Sequence, residues 1–222
     1  MKSFNLNLFL VSGLLVIVII YSINQYSPHE EPIEEIKDFQ GIKLGSYTDF
    51  EENSIKGPQS IEINSYRLKV TGLVETELEY KYDEVLGFPS QEKVIQLDCV
   101  EGWSVRVLWE GVLLEDLIDE ASVKPEAVVV IFRAVDGYST SLPLSYIIEE
   151  EIILAYKINN ITLPEANGYP FQVVAESKWG YKWCKWVSEI ELSDDLDFRG
   201  TWESAGFSNK AESGGQKWET RN

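Results

Sequence analysis

Short strand-like segments dominate the chain from residue 61 onward and limit the folds open to it. The segment "YRLKVTGLV" alternates apolar and polar side chains, as a half-buried strand does, and "AVVVIF", Ala127–Phe132, is the continuous apolar run of a buried strand. Apolar residues at helical spacing occur in "LLEDLIDEA", and short helices are predicted at Tyr82–Leu86 and Leu144–Ile148. Further strands are predicted in "VIQLDCV", "IILAYKI", "YPFQVV" and "CKWVSEIEL". The pattern predicts a strand-rich α+β domain.

The N-terminus differs from the rest because it contains an uncharged apolar stretch, Leu8–Ile23. A helix needs about 20 apolar residues to span a bilayer. Lys2 precedes the stretch and the acidic "HEEPIEEIKD" follows it, which places the bulk of the chain outside the cytoplasm. Residues 1–27 are therefore predicted to be a single-pass anchor in the cell membrane, with a cleaved signal peptide as the competing interpretation.

The remaining residues divide by composition into two parts. Residues 28–58 are acidic, polar and punctuated by Gly and Pro, and they are predicted to form an acidic stalk and an irregular arm. Residues 59–222 have the length of one sizeable domain.

Charge and residue counts exclude several classes of function. The net charge of −18 argues against binding to nucleic acid, whose phosphates require Lys and Arg. The single histidine, His29, lies beside the apolar stretch, so a Ser-His-Asp triad, a His-rich metal site and a bis-His haem are all excluded within this chain. Two cysteines can form neither a disulfide-rich framework nor a four-cysteine zinc site.

Cys99 occupies a predicted strand end, in "LDCVEGW", where functional sites are often built. Gly102 follows it and permits a tight turn or a close backbone approach to a ligand. A thiolate at this place is a soft metal ligand. The residues alone leave two other interpretations open, a small buried apolar residue or a disulfide with Cys184.

Two further stretches could carry chemistry. "SKWGYKWCKW" interleaves Lys178, Lys182 and Lys185 with aromatic rings, which suits a pocket for a small anion or a pterin-like ring, or else a half-buried strand with lysines reaching water. In a regular strand Lys182 and Lys185 would face opposite sides, so a bulge is needed for both to contact one ligand. Tyr138, in "DGYSTSLPL", is either a hydrogen-bond donor in a site or an aromatic residue at a strand edge.

These stretches, in this order, resemble the molybdopterin-binding domain of the sulfite oxidase family. The resemblance covers about Ile61 to Ser208 and is carried by "LDCVEGWSVRVLWEGVLLEDLI", "VVVIFRAVDGYSTSLPLSYI", "ILAYKINNITLPEANGYPFQVVAESKWGYKWCKWVSEIEL" and "GTWESAGFS". Within this family, the chain resembles the short, single-domain prokaryotic branch. It implies the strand-rich mixed-sheet fold of that domain and a molybdenum–molybdopterin cofactor.

The resemblance also implies roles for individual residues. Cys99 matches the cysteine whose sulfur binds molybdenum, and Tyr138 matches a tyrosine near the metal, so both are candidate catalytic residues. Cys99 is thereby also the candidate metal ligand. The candidate cofactor-binding residues, besides Cys99, are Gly102, Trp103, Ser177, Trp179, Gly180, Lys182 and Lys185.

Departures from the family pattern bear on the substrate. Members active on sulfite carry His and Arg where "EANGYPFQV" has Asn167 and Gln172, and the loop after Cys99 offers only Arg106. Sulfite itself is therefore in doubt. The resemblance predicts two-electron or oxygen-atom transfer on a small molecule, with electrons passing to a separate carrier or a haem- or quinone-linked membrane subunit. The alternative is a non-catalytic extracytoplasmic binding domain that retains the fold.

Overall fold

The computed structural model describes residues 34–219. The predicted anchor, residues 1–27, and the start of the arm, residues 28–33, lie outside the described residues. Within residues 34–219, no helix has the length and apolar character needed to cross a membrane.

The described chain consists mainly of strands with short helices between them. The strands are β1 (Asp38–Phe39), β2 (Ile42–Lys43), β3 (Leu68–Gly72), β4 (Leu78–Tyr80), β5 (Ser90–Asp98), β6 (Ser104–Leu113), β7 (Val129–Ala134), β8 (Ser139–Pro143), β9 (Ile153–Ile158), β10 (Ile161–Thr162), β11 (Gln172–Val174) and β12 (Val187–Ser193). The helices are α1 (Tyr82–Val85), α2 (Leu114–Glu120), α3 (Leu144–Glu149) and α4 (Thr201–Ser204). Single 3₁₀ turns occur at Tyr47–Asp49, Glu165–Asn167 and Gly180–Lys182.

Two five-stranded sheets form the body of the domain. One has the order β10-β9-β6-β5, with β11 also paired to β9, and the other has the order β4-β3-β12-β7-β8. Strand β12 runs parallel to β3, whereas it is antiparallel to β7, so the second sheet is mixed. The predicted strand-rich, mixed-sheet α+β fold is confirmed.

Hydrophobic patterning accounts for the main elements. In β7 the apolar run is buried along nearly its whole length, whereas in β3 the buried Leu68 and Val70 flank an exposed Lys69. Helix α2 buries Leu114, Leu117 and Ile118 on one face. Each such side chain contributes about 1.5–3 kcal/mol when fully removed from water, so these faces hold helices and sheets together.

The segment before β12 differs from the predicted strand. In "CKWVSEIEL" the strand begins only at Val187. A 3₁₀ turn, Gly180–Lys182, lies just before this stretch, and Trp183 N–H donates to Gly180 O at 3.1 Å. Trp186 adopts a positive φ of 52°, which also interrupts strand geometry. Lys182 lies in this turn and Lys185 lies after it, so strand alternation does not set the directions of the two side chains.

The described part of the arm packs on the domain that follows it. The Glu35 carboxylate accepts hydrogen bonds from Tyr47 N–H and Asn159 Nδ2, both at 2.8 Å. Phe50 lies edge-on to Trp103 with ring centroids 5.9 Å apart. The arm therefore packs against the loop that follows β5.

Candidate cofactor site

A cavity of about 460 Å³ lies beside the end of β5. This volume falls within the range of about 300–1,000 Å³ that is usual for small-molecule sites. Its walls come from the arm, the end of β5 with the loop after it, the turn before β8, strand β11, the segment before β12 and the C-terminal segment, which we define as residues 199–219. The chain thus brings six separate stretches of sequence to one concave surface.

Cys99 lines this cavity at the end of β5 and is 5% exposed. Its backbone is fixed by two hydrogen bonds, from Cys99 N–H to Trp103 O at 2.9 Å and from Gly102 N–H to Cys99 O at 3.0 Å. Gly102 has a φ of +103°, which favours glycine, so this tight turn explains the glycine without any contact to a ligand. Asn53 of the arm donates from Nδ2 to Cys99 Sγ at 3.4 Å.

Both cysteines are free thiols. Burial raises the pKa of the Cys99 thiol, although hydrogen bonds from the Glu101 backbone and the Asn53 side chain oppose that rise. Cys184 is fully buried, and its Sγ lies 3.7 Å from Lys185 O. The Cys99–Cys184 disulfide, one of the interpretations left open for Cys99, is therefore not present in the structure.

Tyr138 also lines the cavity, from the turn between β7 and β8. Asp136 Oδ1 accepts a hydrogen bond from Tyr138 N–H at 2.9 Å, and the Tyr138 hydroxyl donates to Tyr181 O. Burial, together with the charge of Glu203, raises the pKa of Tyr138 far above its ordinary value. The phenol therefore stays protonated, with its hydrogen directed to the Tyr181 carbonyl.

Three other predicted residues line the same cavity, namely Trp103, Gly180 and Lys185. Trp103 Nε1 is buried and has no hydrogen-bond partner within residues 34–219. A Cβ at Gly180 would lie 3.2 Å from a methyl group of Leu97, so glycine permits the close approach here. Lys185 Nζ donates to Ala166 O at 2.8 Å and to Glu52 Oε2 at 3.1 Å.

The remaining predicted residues lie outside the cavity lining. Gly102 and Ser177 are exposed, and Ser177 O accepts a hydrogen bond from Ser213 N–H at 2.9 Å. Trp179 N–H donates to Ala211 O at 2.7 Å. Lys182 is 1% exposed and forms a buried ion pair with Glu203 at 2.5 Å. Their predicted contacts with a cofactor stay predictions.

Of the positions that depart from the family pattern, one lines the cavity and two lie outside its lining. Gln172 is 2% exposed and lines the cavity. Asn167 is buried, and its Nδ2 donates to Tyr47 O at 3.4 Å. Arg106 is exposed outside the lining, with Nη2 3.4 Å from Gln96 Oε1. No arginine among residues 34–219 lines the cavity.

Residues from both ends of the domain were missed by the sequence interpretation. Phe50 and Asn53 come from the arm, and Trp202, Phe207 and Trp218 come from the C-terminal segment. The signal for the second group was the persistence of aromatic residues in an otherwise polar tail. Asn53 has no comparable local signal, because its contact with Cys99 spans 46 positions of sequence.

Comparison with known proteins decides the family. Residues 55–202 match the family described as "Oxidoreductase molybdopterin binding domain". The chain belongs to this family. As a member of it, the chain is a molybdopterin-dependent oxidoreductase, and its cofactor is molybdenum–molybdopterin.

Three similar proteins illustrate the family. The chain is 32% identical to the uncharacterized oxidoreductase YuiH of Bacillus subtilis, over 68% of this chain and 76% of YuiH. It is 27% identical to the protein-methionine-sulfoxide reductase catalytic subunit MsrP of Gluconobacter oxydans, over 76% of this chain but only 58% of MsrP. The sulfane dehydrogenase SoxCD from Paracoccus pantotrophus has the same fold, with a TM-score of 0.62 at 22% identity, over 74% of this chain and 47% of SoxCD.

The cavity fits a molybdopterin. It offers one thiol, and no group of three or more His, Cys, Asp or Glu side chains that could hold a metal occurs within residues 34–219. A metal that takes its other sulfur ligands from the pterin needs only one such soft ligand from the protein. The unpartnered N–H of Trp103 is a donor available to a polar cofactor.

The residues that line the cavity would contact different parts of the cofactor. Cys99 would bind the metal, and Trp103 Nε1, the backbone at Gly180 and Lys185 would contact the pterin. When bound, the cofactor supplies two-electron chemistry, with or without transfer of an oxygen atom. The protein's own residues bury the thiol, supply aromatic side chains to the cavity wall and keep Tyr138 protonated.

Proposed function

We propose that this protein reduces neutral oxygenated small molecules, such as a sulfoxide, at the cavity beside Cys99. The observation that carries the proposal is the charge of the cavity wall. Glu51, Glu101 and Asp136 line it, no arginine within residues 34–219 does, and Gln172 replaces the family's arginine. An anion such as sulfite would be repelled there, whereas a neutral substrate would not.

The lysines at the wall do not reverse this charge. Lys185 is paired with Glu52 at 3.1 Å. Lys217 donates to Val100 O at 2.7 Å, with its Nζ 5.2 Å from the Trp179 ring. The charge of Lys185 is thus offset by Glu52, and the three carboxylates of the wall outnumber the remaining lysine charge, so the lysines do not replace the missing arginine.

The reaction class is supported by a relative whose printed name is protein-methionine-sulfoxide reductase catalytic subunit. In the proposed reaction the S–O bond of the sulfoxide breaks and the sulfur takes up two electrons. The oxygen takes up two protons from the solvent and leaves as a water molecule. A reduced one-electron carrier supplies the electrons in two steps.

The carrier is proposed to be a separate protein or membrane subunit. The one histidine of the chain, His29, cannot alone provide a bis-His haem site. The apolar stretch Leu8–Ile23 supports a single-pass anchor with the domain outside the cytoplasm. Such an anchor would raise the effective concentration of the domain beside a membrane-bound partner.

The test compares two substrates on full-length protein from a host that makes molybdopterin. Reduction of dimethyl sulfoxide by a reduced viologen dye is measured beside oxidation of sulfite by ferricyanide, each per bound molybdenum. We expect sulfoxide turnover at least tenfold above sulfite turnover. Equal or faster sulfite turnover would overturn the proposal, and so would molybdenum-loaded protein that turns over neither substrate.

Gln172→Arg is the matched variant for this test. It adds a positive charge to the cavity wall at the position where sulfite-active members carry arginine. We expect inhibition by sulfate to strengthen at least threefold in this variant, because an anion then meets a cation in a partly dry site. Unchanged inhibition would show that wall charge does not select the substrate.

A further inference from the structure

Lys182 has an environment that leaves it no free hydrogen for a ligand. Its Nζ donates to Ser141 O at 3.0 Å, to Glu203 Oε1 at 2.5 Å and to Asn209 Oδ1 at 2.9 Å. An ammonium group has three hydrogens, and all three have acceptors. The side chain is 1% exposed and is not part of the cavity lining.

Glu203 depends on this lysine. Its side chain is 0% exposed, and Oε1 also accepts a hydrogen bond from Thr140 Oγ1 at 2.6 Å. Its Oε2 has no partner within residues 34–219. A buried carboxylate is strongly destabilising once its counter-ion is removed, so the ion pair ties α4 to strand β8 and to the turn at Gly180–Lys182.

The segment held in this way forms the aromatic wall of the cavity. Trp202, Phe207 and Trp218 line the cavity, with ring centroids 5.4 Å apart for Trp202–Phe207 and 4.1 Å apart for Phe207–Trp218. Within residues 199–219 the only helix or strand is the four-residue α4. Backbone hydrogen bonds tie the segment to the rest of the domain at Ala211 and Ser213, whereas the backbone hydrogen bonds of residues 200–209 in the described chain have both partners within the segment. The position of Trp202 and Phe207 in the wall therefore depends on side-chain contacts.

Asn209 is a second residue of the C-terminal segment that Lys182 contacts. It accepts from Lys182, while its own Nδ2 donates to Phe198 O at 3.2 Å and its N–H donates to Glu219 Oε1 at 2.8 Å. Lys182 thus contacts the segment at two points, Glu203 and Asn209, on either side of Phe207.

We propose that Lys182 is a positioning residue whose buried ion pair with Glu203 holds the C-terminal segment in place as the substrate-facing wall of the cofactor cavity. Lys182 acts on the cavity through this wall and does not contact the cofactor. The inference concerns the shape of the cavity and does not depend on the substrate proposed above.

The test uses full-length, molybdenum-loaded protein and trypsin under native conditions. Arg199 and the exposed Lys210 provide cleavage sites within the segment. Lys182→Met, Glu203→Gln and the contrasting cavity variant Lys185→Met are compared for the rate of cleavage after these residues and for pterin released per chain. The double variant Lys182→Met/Glu203→Met removes both charges together.

We expect Lys182→Met and Glu203→Gln each to be cleaved at least fivefold faster than the wild type while retaining more than half of its pterin. KM for any substrate that is turned over should rise at least threefold, with kcat per molybdenum changed less than twofold. The double variant should regain part of the resistance to trypsin, because no unpaired charge remains. Lys185→Met should lose pterin without faster cleavage.

The opposite pattern overturns the proposal. It is wrong if Lys182→Met loses most of its pterin while the segment is cleaved at the wild-type rate, because Lys182 would then be a cofactor contact. If Lys182→Met yields no folded protein, the double variant decides. A double variant that folds and binds pterin supports the proposal. A double variant that folds without pterin, or that does not fold, contradicts it.

Discussion

Lys185 Nζ lies 3.1 Å from Glu52 Oε2 and so joins the segment before β12 to the arm across one side of the cofactor cavity. The two side chains are 20% and 29% exposed, respectively. A second hydrogen bond, to Ala166 O at 2.8 Å, fixes the ammonium group at the cavity wall. The pair therefore has two separable roles, one toward the cofactor and one toward the arm.

The role toward the cofactor predicts a difference between two lysines. Lys185→Ala should lower the pterin bound per chain several-fold, because a charge-assisted hydrogen bond in a partly buried site contributes about 1.5–3 kcal/mol. Lys178 is the matched control. It lies outside the cavity lining, with its Nζ 4.6 Å from the ring of Tyr146, so Lys178→Ala should change pterin content little.

Fluorescence of released, oxidised pterin measures both variants. Equal losses in the two variants, or no loss in either, would contradict the placement of the pterin beside Lys185.

The ion pair between Lys185 and Glu52 of the arm predicts that the stability of the fold depends on pH. Burial alone would raise the pKa of Glu52, but hydrogen bonds from Ser54 and the charge of Lys185 hold that pKa below its ordinary value of 4.5. A carboxyl group whose pKa is lower in the folded state stabilises the fold above its unfolded-state pKa, and this contribution disappears as pH falls through the folded-state pKa.

Glu52→Gln should therefore reduce the thermal midpoint at pH 7 but not well below pH 4.5. Because the pair is near the surface, the contribution is about 0.2–1 kcal/mol, or at most about 2–4 °C. Calorimetry at several pH values measures the difference between variant and wild type. The account is contradicted by a difference that is unchanged or larger in acid.

Substitution of Cys184 is expected to affect the stability of the fold but not the binding of the cofactor. It is fully buried, and burial, followed by the charges of Asp136 and Glu203, raises the pKa of its thiol. Cys184→Ala should retain molybdenum and pterin and reduce the free energy of unfolding by about 1–2 kcal/mol, as expected for a small cavity. Denaturant unfolding with elemental analysis checks this, and a variant without molybdenum would show that Cys184 also serves the cofactor.

The sequence was sufficient for features that local patterns encode. The apolar run of β7 and the spacing in α2 predict elements whose buried faces the structure confirms. The order of the motifs around Cys99 predicted the family, which the match over residues 55–202 confirms.

Features that depend on long-range contacts could not be read in this way. The direction of Lys182 follows from a 3₁₀ turn where strand alternation was assumed, and from Glu203, which lies 21 positions away. Residues 28–58 are predicted to be an acidic stalk and an irregular arm, and their acidic composition does not indicate that Phe50 packs on Trp103 and Trp109. Neither contact has a periodic signal in the sequence.

Molybdenum content is the most direct test of the account. Protein from a host that supplies the cofactor should contain about one molybdenum per chain, and Cys99→Ser should lose it together with the redox signal, because the thiolate at the end of β5 is the one soft ligand the cavity offers. Elemental analysis and pterin fluorescence on both proteins decide the matter. A wild-type preparation with no molybdenum above background, or a Cys99→Ser variant that holds as much as the wild type, would contradict the assignment of this cavity.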